Sequence, residues 1–336
     1  MIVIKGTSFD PYFNLASEEY MLKNTDDDVF MLWQNERSVI IGKNQNAWAE
    51  VNCAFVKENN IKVARRMTGG GAVFHDLGNV NFTFITGATD ENKLNFKLFS
   101  DPIIAALEKM GIKAQIDGRN DLVADGFKIS GNAECVAKNH LGKDRILHHG
   151  TLLFSADMSY LAGALNVSKI KLKSKGIKSV RSRVCNIASL ETYNGPSDTD
   201  GFIEALFSEI APEGKRSLTE DEISQINALR DEKYATDGWI WGKSPAFDLK
   251  NEERFSFGTL CAEVKCEGGK ISALKLTGDF FGTADISLVE EALTDVPYEK
   301  ESVKNKLEEI SEMLEKCISG ATPEELSSLI VPENAD

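Results

Sequence analysis

The 336-residue chain lacks several features that would assign a protein to a class at once. No uninterrupted apolar run approaches the roughly 18 residues of a membrane-spanning helix, so no membrane partner is predicted. The first ten residues show no basic segment followed by an apolar core, so no secretory signal is predicted. Its 6 cysteines are scattered without a CxxC pair. That spacing argues against a zinc clip and favours free thiols in a reducing compartment, which predicts a cytoplasmic location.

Positive charge is also scarce, with 38 Lys and Arg against 52 Asp and Glu and a net charge of −14. An acidic chain repels nucleic acid, so no nucleic-acid partner is predicted. Residues 169–183 depart from this balance, because they hold lysines and arginines and no acid. A solvated positive face is the usual meaning of such a run. Gly176 and the serines of this segment are more typical of a loop, and a cationic loop suits closure over a polyanionic ligand.

The chain lacks both the GxGxxG and the P-loop phosphate signatures, but it has three consecutive glycines, Gly69 to Gly71. Arg65 and Arg66 precede this glycine run, and the apolar segment 72–74 follows it. Three glycines without side chains allow a ligand to approach the backbone closely, and the arginines favour a phosphate or a carboxylate. A glycine-rich turn beside two solvated arginines explains the same residues equally well. From these residues alone both interpretations remain open.

Helical and strand patterns alternate without the regular βαβ order of a parallel sheet, which predicts an α+β fold of mixed and antiparallel sheets with flanking helices. A change of pattern near residue 250 predicts two units, one over 1–246 and a small α+β unit over 251–336. In the first unit the patterns predict helices over 13–24, 52–59, 94–110, 195–209 and 219–234, and strands over 29–33, 38–42, 61–65, 79–86, 121–136 (strand, turn, strand) and 150–154. In the second they predict a hairpin of 254–266 with 270–277, helices over 285–293 and 298–318, and a short helix from Pro323.

Two further clusters contain residues that are able to carry chemistry. Lys128 lies in a strand-like stretch beside Ser130 and Gly131, and an exposed edge lysine is the ordinary interpretation of such a residue. The sharper hypothesis is that Lys128 points into a cleft. His148 and His149 are adjacent, so on a strand they face opposite ways, and no third metal ligand is evident. A structural or substrate-orienting role for one of them is therefore favoured over metal binding.

Five motifs occur together in one order, and as a set they closely resemble the lipoate–protein ligase A family, in its two-domain bacterial form. They are RRMTGGGAVFHDLGN from Arg65, GRNDL from Gly118, KISGNA from Lys128, HHGTLL from His148 and SVRSRVCN from Ser179. The C-terminal unit resembles the accessory domain of that form, so the resemblance covers nearly the whole chain. It implies the class II synthetase-like biotin/lipoate ligase fold.

The resemblance implies a two-step reaction that uses ATP and Mg²⁺. The lipoate carboxylate attacks the α-phosphate of ATP to give lipoyl-AMP, and a lysine amine of a lipoyl domain then takes the lipoyl group. The acceptors implied are the E2 subunits of 2-oxoacid dehydrogenases or the glycine cleavage H protein, in cofactor salvage. A cytoplasmic monomer is expected. Mg²⁺ is expected to be held mainly by phosphates, with Asp121 as a candidate ligand.

The same resemblance assigns roles to individual residues. Lys128 is expected to be the catalytic clamp between the acyl carbonyl and the phosphate, and so to contact both substrates. Residues expected to contact ATP or the adenylate are Arg66, Gly71, Ala72, Val73, Phe74, Asn79 and Asp121. Gly69, Gly70 and His149 are expected to contact lipoate. The loop expected to fold over the adenylate carries Lys169, Lys173, Lys175, Lys178, Arg181 and Arg183.

The rival hypothesis is an octanoyl- or lipoyl-transferase of the same fold, which takes its acyl group from a carrier protein through a cysteine thioester. Cys135 is close enough to Lys128 in sequence to keep this alternative open. A thiol in an apolar strand is more often inert packing, and the transferase gives the basic loop no purpose. A non-catalytic lipoate-binding module is a third possibility, against which the intact Lys128 and glycine run argue.

Overall fold

A seven-stranded sheet forms the centre of the N-terminal unit in the computed structural model, which describes residues 1–118, 120–165, 184–242, 249–267 and 269–332. Its strands, in chain order, are β1 (Ile2–Lys5), β2 (Val29–Trp33), β6 (Asn79–Gly87), β7 (Gln115–Asp117), β8 (Asp121–Ala124), β9 (Phe127–Lys138) and β10 (Asp144–Leu153). The spatial order is β1-β2-β6-β10-β9-β8-β7. Only the β1–β2 pair is parallel, so the sheet is mixed.

A second, three-stranded sheet positions the glycine run. It consists of β3 (Ser38–Ile41) between β4 (Lys62–Arg65) and β5 (Val73–His75), with β3 parallel to β4 and antiparallel to β5. Residues 66–72 connect β4 to β5 and contain all three glycines. The run is therefore held at both ends by strands that share one neighbour, which restricts where its backbone can lie.

Helices cover both faces of the central sheet. The longest are α1 (Pro11–Asn24), which begins with Pro11 in its first turn, and α4 (Phe96–Lys109), which follows an Asn95 side-chain cap and precedes Gly111 at φ +82°. The others are α2 (Ala47–Glu50), α3 (Cys53–Glu58), α5 (Met158–Ala164), α6 (Thr199–Ile210), α7 (Glu220–Leu229) and α8 (Asp237–Ile240), with a 3₁₀ turn at Ile187–Ser189 and a π turn at Arg230–Tyr234. None of the helices in the described ranges is both long and apolar enough to span a membrane.

The C-terminal unit has its own core. Strands β11 (Leu249–Phe255), β12 (Gly258–Glu267) and β13 (Lys270–Gly278) form an antiparallel sheet. The helices that pack with it are α9 (Ser287–Ala292), α10 (Lys300–Glu309), α11 (Ser311–Cys317) and α12 (Pro323–Ile330). Buried residues between Phe257 and Ile330 form one apolar cluster without members from the N-terminal unit. This unit therefore has a hydrophobic core of its own, as an independently folding domain does.

The structure confirms the predicted α+β class and most predicted elements, but some predictions are wrong. The segment 254–266 is two strands, because the chain turns at residues 256–257 before Gly258, whose φ of +147° suits glycine. The predicted helix 298–318 is interrupted at Ile310, which leaves helical dihedrals with ψ 23°. The alternating pattern over 79–86 predicts a half-buried strand, but this strand is buried on both faces, because apolar clusters lie on each side of it.

Candidate functional site

The side chain of Arg66 binds carbonyl groups of the glycine run. Its guanidinium donates to the carbonyls of Gly69 (2.6 Å), Gly71 (2.8 Å) and Ile40 (3.1 Å) and to Thr68 Oγ1 (3.0 Å). The side chain is buried, and desolvation lowers its pKa to about 10, so it remains charged at neutral pH. The carbonyls of the run therefore turn toward Arg66, and a fixed positive charge lies beside the glycines.

Arg65 is also buried, and its guanidinium donates hydrogen bonds to backbone carbonyls. The acceptors are the carbonyls of Trp239, Ile240, Gly42, Lys43 and Gln45. Burial lowers the pKa of Arg65 to about 10. The interpretation as two solvated arginines beside a turn is therefore wrong. Arg65 fixes the loop after β3 to α8, and Arg66 fixes the glycine run.

The three glycines differ in what surrounds them. A Cβ on Gly69 would lie 2.5 Å from the Phe280 carbonyl oxygen, and one on Gly70 would lie 3.0 Å from the Phe281 ring. Gly70 also has φ +87°, a conformation that side chains other than glycine's disfavour. A Cβ on Gly71 would meet nothing closer than the Asp279 Cβ at 3.9 Å. The close approach to the first two glycines thus comes from the C-terminal unit, and Asp279 of the same unit is the nearest neighbour of the third, at an ordinary contact distance.

Lys128 lies near the start of β9, where it forms an ion pair with Asp121 of β8. The Nζ–Oδ1 distance is 2.7 Å, and both side chains are about one third exposed. The amine is bent over Gly131, because a Cβ there would lie 3.0 Å from Nζ. Gly131 therefore makes room for the lysine to lie along the sheet face. The Lys128 carbonyl also accepts a hydrogen bond from the Cys185 N–H (3.0 Å). The described residues that follow the gap after Leu165 therefore begin beside this lysine.

A buried polar chain runs from Arg66 into the space between α1 and the sheet. Thr68 Oγ1 lies 2.8 Å from His149 Nε2, and His149 Nδ1 lies 2.9 Å from Glu18 Oε1. Thr83 donates to the same Glu18 oxygen (2.6 Å) and accepts from Trp33 Nε1 (2.9 Å). A His149 ring that donates from Nδ1 to Glu18 and accepts at Nε2 from Thr68 satisfies this arrangement. The network fixes the His149 ring in one orientation.

Three buried polar atoms beside this network have no hydrogen-bond partner within the described residues. They are His75 Nε2, Asn79 Oδ1 and Asn81 Nδ2. Asn35 Nδ2 faces His75 Nδ1 at 3.1 Å, which places the ring proton on Nε2. Desolvation, with the nearby Arg66 charge, lowers the His75 pKa to about 3, so the ring is neutral. Buried donors and acceptors without partners are costly, and a polar ligand group is one way to satisfy them.

His148 faces the opposite side of the sheet from His149, as alternation along a strand requires. It is fully buried, stacks on Phe99 with ring centroids 4.8 Å apart, and lies 3.4 Å from Glu134 Oε2. Glu134 Oε1 accepts from the Leu94 N–H at 2.5 Å. Burial lowers the pKa of His148 well below its usual value, and burial raises the pKa of Glu134 to about 7. This pair is therefore close to neutral.

The Glu134→Gln variant is expected to flatten the pH dependence of stability above pH 5. The folded pKa of about 7 exceeds the unfolded value of 4.5, so the folded state binds more protons between these values, and stability falls as pH rises through 7. Relative to wild type, the variant should be more stable at pH 8.5 than at pH 5.5 by about 2 kcal/mol. Urea denaturation at the two pH values measures this difference. A pH-independent difference between the proteins would contradict the prediction.

The structure brings together many of the predicted site residues. Lys128 and Asp121 form an ion pair, and Arg66 and His149 join through Thr68. Phe74 is buried in β5 and stacks on Tyr160 with centroids 6.1 Å apart, while Ala72 and Val73 pack against apolar clusters as partly buried residues. The predicted loop residues Lys169, Lys173, Lys175, Lys178, Arg181 and Arg183 lie outside the described residues, as does Arg119.

Sequence reasoning missed Glu18, Thr83 and Trp33. A signal for Glu18 existed, because it lies three residues after Leu15 and four before Leu22, on the apolar stripe of α1. A carboxylate on that stripe must be buried and needs partners. In the described ranges, no group of three or more His, Cys, Asp and Glu side chains is placed to hold a metal ion.

Comparison with known proteins agrees with this architecture. Residues 10–211 match the family model described as the lipoyl protein ligase A/B catalytic domain, and residues 244–330 match the bacterial lipoate protein ligase C-terminus. The chain is 41% identical to lipoate-protein ligase LplJ of Bacillus subtilis, over 96% of this chain and 97% of that protein. It is 40% identical to lipoate–protein ligase 1 of Staphylococcus aureus, over 89% and 91% of the two chains.

Two solved structures show the same fold. The structure of P. falciparum LipL1 in complex with lipoate aligns with a TM-score of 0.70 at 26% identity, covering 93% of this chain and 98% of that one. A structure of lipoate-protein ligase A bound with ATP aligns with a TM-score of 0.57 at 28% identity, covering 72% and 97%. The fold and site therefore define a ligase with the biotin/lipoate ligase fold. The chain belongs to the lipoate–protein ligase family, as the motif resemblance predicted.

Proposed function

We propose that, beside Lys128, the lipoate carboxylate displaces pyrophosphate from ATP to form lipoyl-AMP. The ε-amine of a lysine on an acceptor lipoyl domain then displaces AMP and takes the lipoyl group. The position of Lys128 carries the proposal. Its amine lies over the face of β9, against Gly131 and beside Asp121, in a partly open position that a small anion is able to reach. The relatives named above support lipoate as the acid and ATP as the nucleotide.

Like charges oppose the first step, because a carboxylate must approach a triphosphate. Fixed cations and backbone donors lower the barrier by stabilising the charge that develops on the transferring group. Lys128 supplies the cation at the reacting atoms, and Arg66 keeps the glycine run in shape behind it. The second step needs a polarised carbonyl, for which the same ammonium is suitably placed. Lys128 thus acts as an electrostatic clamp, and it forms no covalent bond with the substrate.

The two ligands are proposed to lie on different sides of the glycine run. Gly71 is less closely approached than Gly69 and Gly70 and leads into β5, which fits the expected nucleotide contacts at residues 71–74. Asn79, with its unpartnered buried oxygen, is proposed as a further contact. The acyl chain is proposed to extend toward Gly69, Gly70 and His149. Mg²⁺ would be held chiefly by the phosphates, and the Asp121 carboxylate, one third exposed, is able to contribute an oxygen.

The basic segment 169–183 is proposed to close over the adenylate. Its described flanks support this assignment, because Val184 pairs with Lys128 and Leu165 pairs with Val51. Both described flanks of the segment are therefore paired with residues of the N-terminal unit. One of them, Val184, forms its bridge with the catalytic lysine itself. We further propose a division of the chain into residues 1–246 and 251–336, a monomeric state and a cytoplasmic location. Acceptor domains from dehydrogenase E2 subunits or the glycine cleavage H protein remain the proposed partners.

Lipoate-dependent exchange of pyrophosphate into ATP tests this function against the carrier-dependent transferase. Wild type should catalyse the exchange without any carrier protein, and Cys135→Ala should retain it within about twofold, the effect expected for a packing thiol. Burial and the neighbouring Glu18 carboxylate raise the pKa of the Cys135 thiol far above its usual value, which disfavours the thiolate that a thioester requires. Loss of exchange in the cysteine variant, with a Lys128→Ala variant still active, would favour the transferase instead.

A further inference from the structure

The C-terminal unit contacts the glycine run through the segment Gly278–Gly282, which links β13 to α9. The Gly70 N–H donates to the Phe280 carbonyl (3.2 Å), and the Gly278 N–H donates to the Asn44 carbonyl (2.8 Å). Lys43 Nζ also pairs with Asp285 Oδ2 at 2.6 Å. These polar contacts join the two units on either side of Phe281.

Phe281 differs from its neighbour Phe280 in where its ring packs. Phe280 belongs to the apolar core of the C-terminal unit, whereas Phe281 lies in a cluster whose other members, Leu94, Phe96 and Ala133, come from the N-terminal unit. The rings of Phe281 and Phe96 have centroids 5.4 Å apart at an angle of 64°. Phe281 is only 5% exposed, and its ring lies directly against the α-carbon of Gly70. The C-terminal unit therefore inserts one ring into the N-terminal unit.

The strand β9 connects this ring to the catalytic lysine. Gly131 and Ala133 lie on the same face of β9, because they are two residues apart. Lys128 Nζ lies over Gly131, and Ala133 pairs directly with His149 of β10. Two residues along a strand span about 7 Å. A medium-chain acyl group whose carboxylate meets Lys128 and whose tail follows this face therefore passes Ala133 and reaches Phe281.

We infer that Phe281 is a specificity-determining residue of the acyl site, supplied by the C-terminal unit, and that its ring limits how long an acyl chain the enzyme activates. The Phe281 ring packs in one cluster with Ala133 and lies 3.0 Å from a Cβ placed on Gly70, so it lies between this face of β9 and the glycine run. The inference rests on the proposed lipoate-activating function and deepens it. It gives the C-terminal unit a part in the choice of acid.

Exchange of pyrophosphate into ATP by the full-length protein, measured with lipoate, octanoate, decanoate and dodecanoate, tests the inference. In Phe281→Ala, kcat/KM for octanoate should fall about tenfold, because an apolar wall is lost. The ratio of kcat/KM for dodecanoate to that for octanoate should rise at least about tenfold, since removal of the ring creates space. Phe281→Leu should give an intermediate ratio. Leu288→Ala, an exposed position on α9, should match wild type.

An equal loss with every acid in Phe281→Ala would show that the ring serves domain docking alone and would overturn the inference. A lower KM for every acid would show that the ring obstructs the site, and would overturn it as well. If circular dichroism shows that Phe281→Ala does not fold, the ratio measured with Phe281→Leu decides by the same criteria. Absence of exchange in wild type with lipoate would instead refute the proposed function, so the two failures are distinguishable.

Discussion

Replacement of Lys128 by alanine is expected to reduce lipoate-dependent pyrophosphate exchange by about 10²–10³-fold or more, the loss typical of removing one donor aimed at developing charge. The reduction should appear in kcat, because the ammonium acts most strongly where the carboxylate and phosphate meet. Transfer from preformed lipoyl-AMP should also slow, because the same amine polarises the acyl carbonyl. Stability should change by less than about 1 kcal/mol, since the ion pair with Asp121 is partly exposed.

Lys138 offers a matched control on the same strand. Its side chain is 69% exposed and pairs with Asp144 at 2.9 Å, in a geometry similar to that of Lys128 with Asp121. Lys138→Ala removes a lysine and an ion pair from β9 without touching the proposed site, so its exchange rate should stay within about twofold of wild type. Comparable losses in the two variants would mean that Lys128 supports the strand and does not take part in the reaction.

The sequence drew attention to the glycine run and its arginines, but it did not show how they are held. Consecutive glycines and paired arginines fitted both an anion cradle and a turn beside solvated arginines, and the pattern could not show which atoms the arginines bind. Both guanidiniums are buried and bind carbonyls, including those of Trp239 and Ile240, which lie more than 170 residues away. Contacts at that separation depend on the tertiary fold, and no local pattern around Arg65 encodes them. The role of these arginines therefore became apparent only from the structure.

Phe281 illustrates a different limit. In the sequence it is one of two adjacent phenylalanines between glycines. The sequence pattern does not show which ring packs in the core of the C-terminal unit and which packs against the N-terminal unit. Glu18 was more accessible to prediction, because a carboxylate on the apolar stripe of a helix needs buried partners. Elements were predicted well where a clear period marked them, as in the helix predicted over 94–110, which the structure places at Phe96–Lys109. The prediction failed at Ile310, where the helix is interrupted at an apolar residue without glycine or proline.

The glycines themselves serve two partners. In this structure the first two make room for the carbonyl of Phe280 and the ring of Phe281, and the third, where a Cβ would meet nothing closer than Asp279 Cβ at 3.9 Å, precedes the residues proposed to contact the nucleotide. A ligand on one side and the C-terminal unit on the other therefore contact the same few peptide groups. Any change that moves this backbone should affect ATP binding and domain docking together. Arg66, which donates to two of the carbonyls in the run, is the residue through which this coupling is most easily tested.

Replacement of Arg66 by lysine is expected to lower the free energy of unfolding by about 2–4 kcal/mol, although the charge is kept. The planar guanidinium reaches four oxygens, at Ile40, Thr68, Gly69 and Gly71, and one ammonium cannot reach them all. Each buried oxygen left without a donor costs roughly 1–3 kcal/mol, partly offset by relaxation of the loop. Urea denaturation measures the stability, and KM for ATP in the exchange assay should rise because the run loses its shape.

The matched control is Arg37→Lys, because Arg37 is exposed and its guanidinium lies over the Tyr160 ring, 4.2 Å from the centroid. An exposed cation–π contact contributes about 0.5–1 kcal/mol, and lysine retains part of it, so this variant should lose less than about 0.5 kcal/mol. If the two lysine variants were equally stable, the four bonds of Arg66 would not hold the glycine run. If Arg66→Lys lost stability but kept the wild-type KM for ATP, the run would be fixed by the strands β4 and β5 alone. The expected pattern is a joint loss, because the guanidinium that stabilises the fold also sets the geometry of the peptide groups proposed to face the nucleotide.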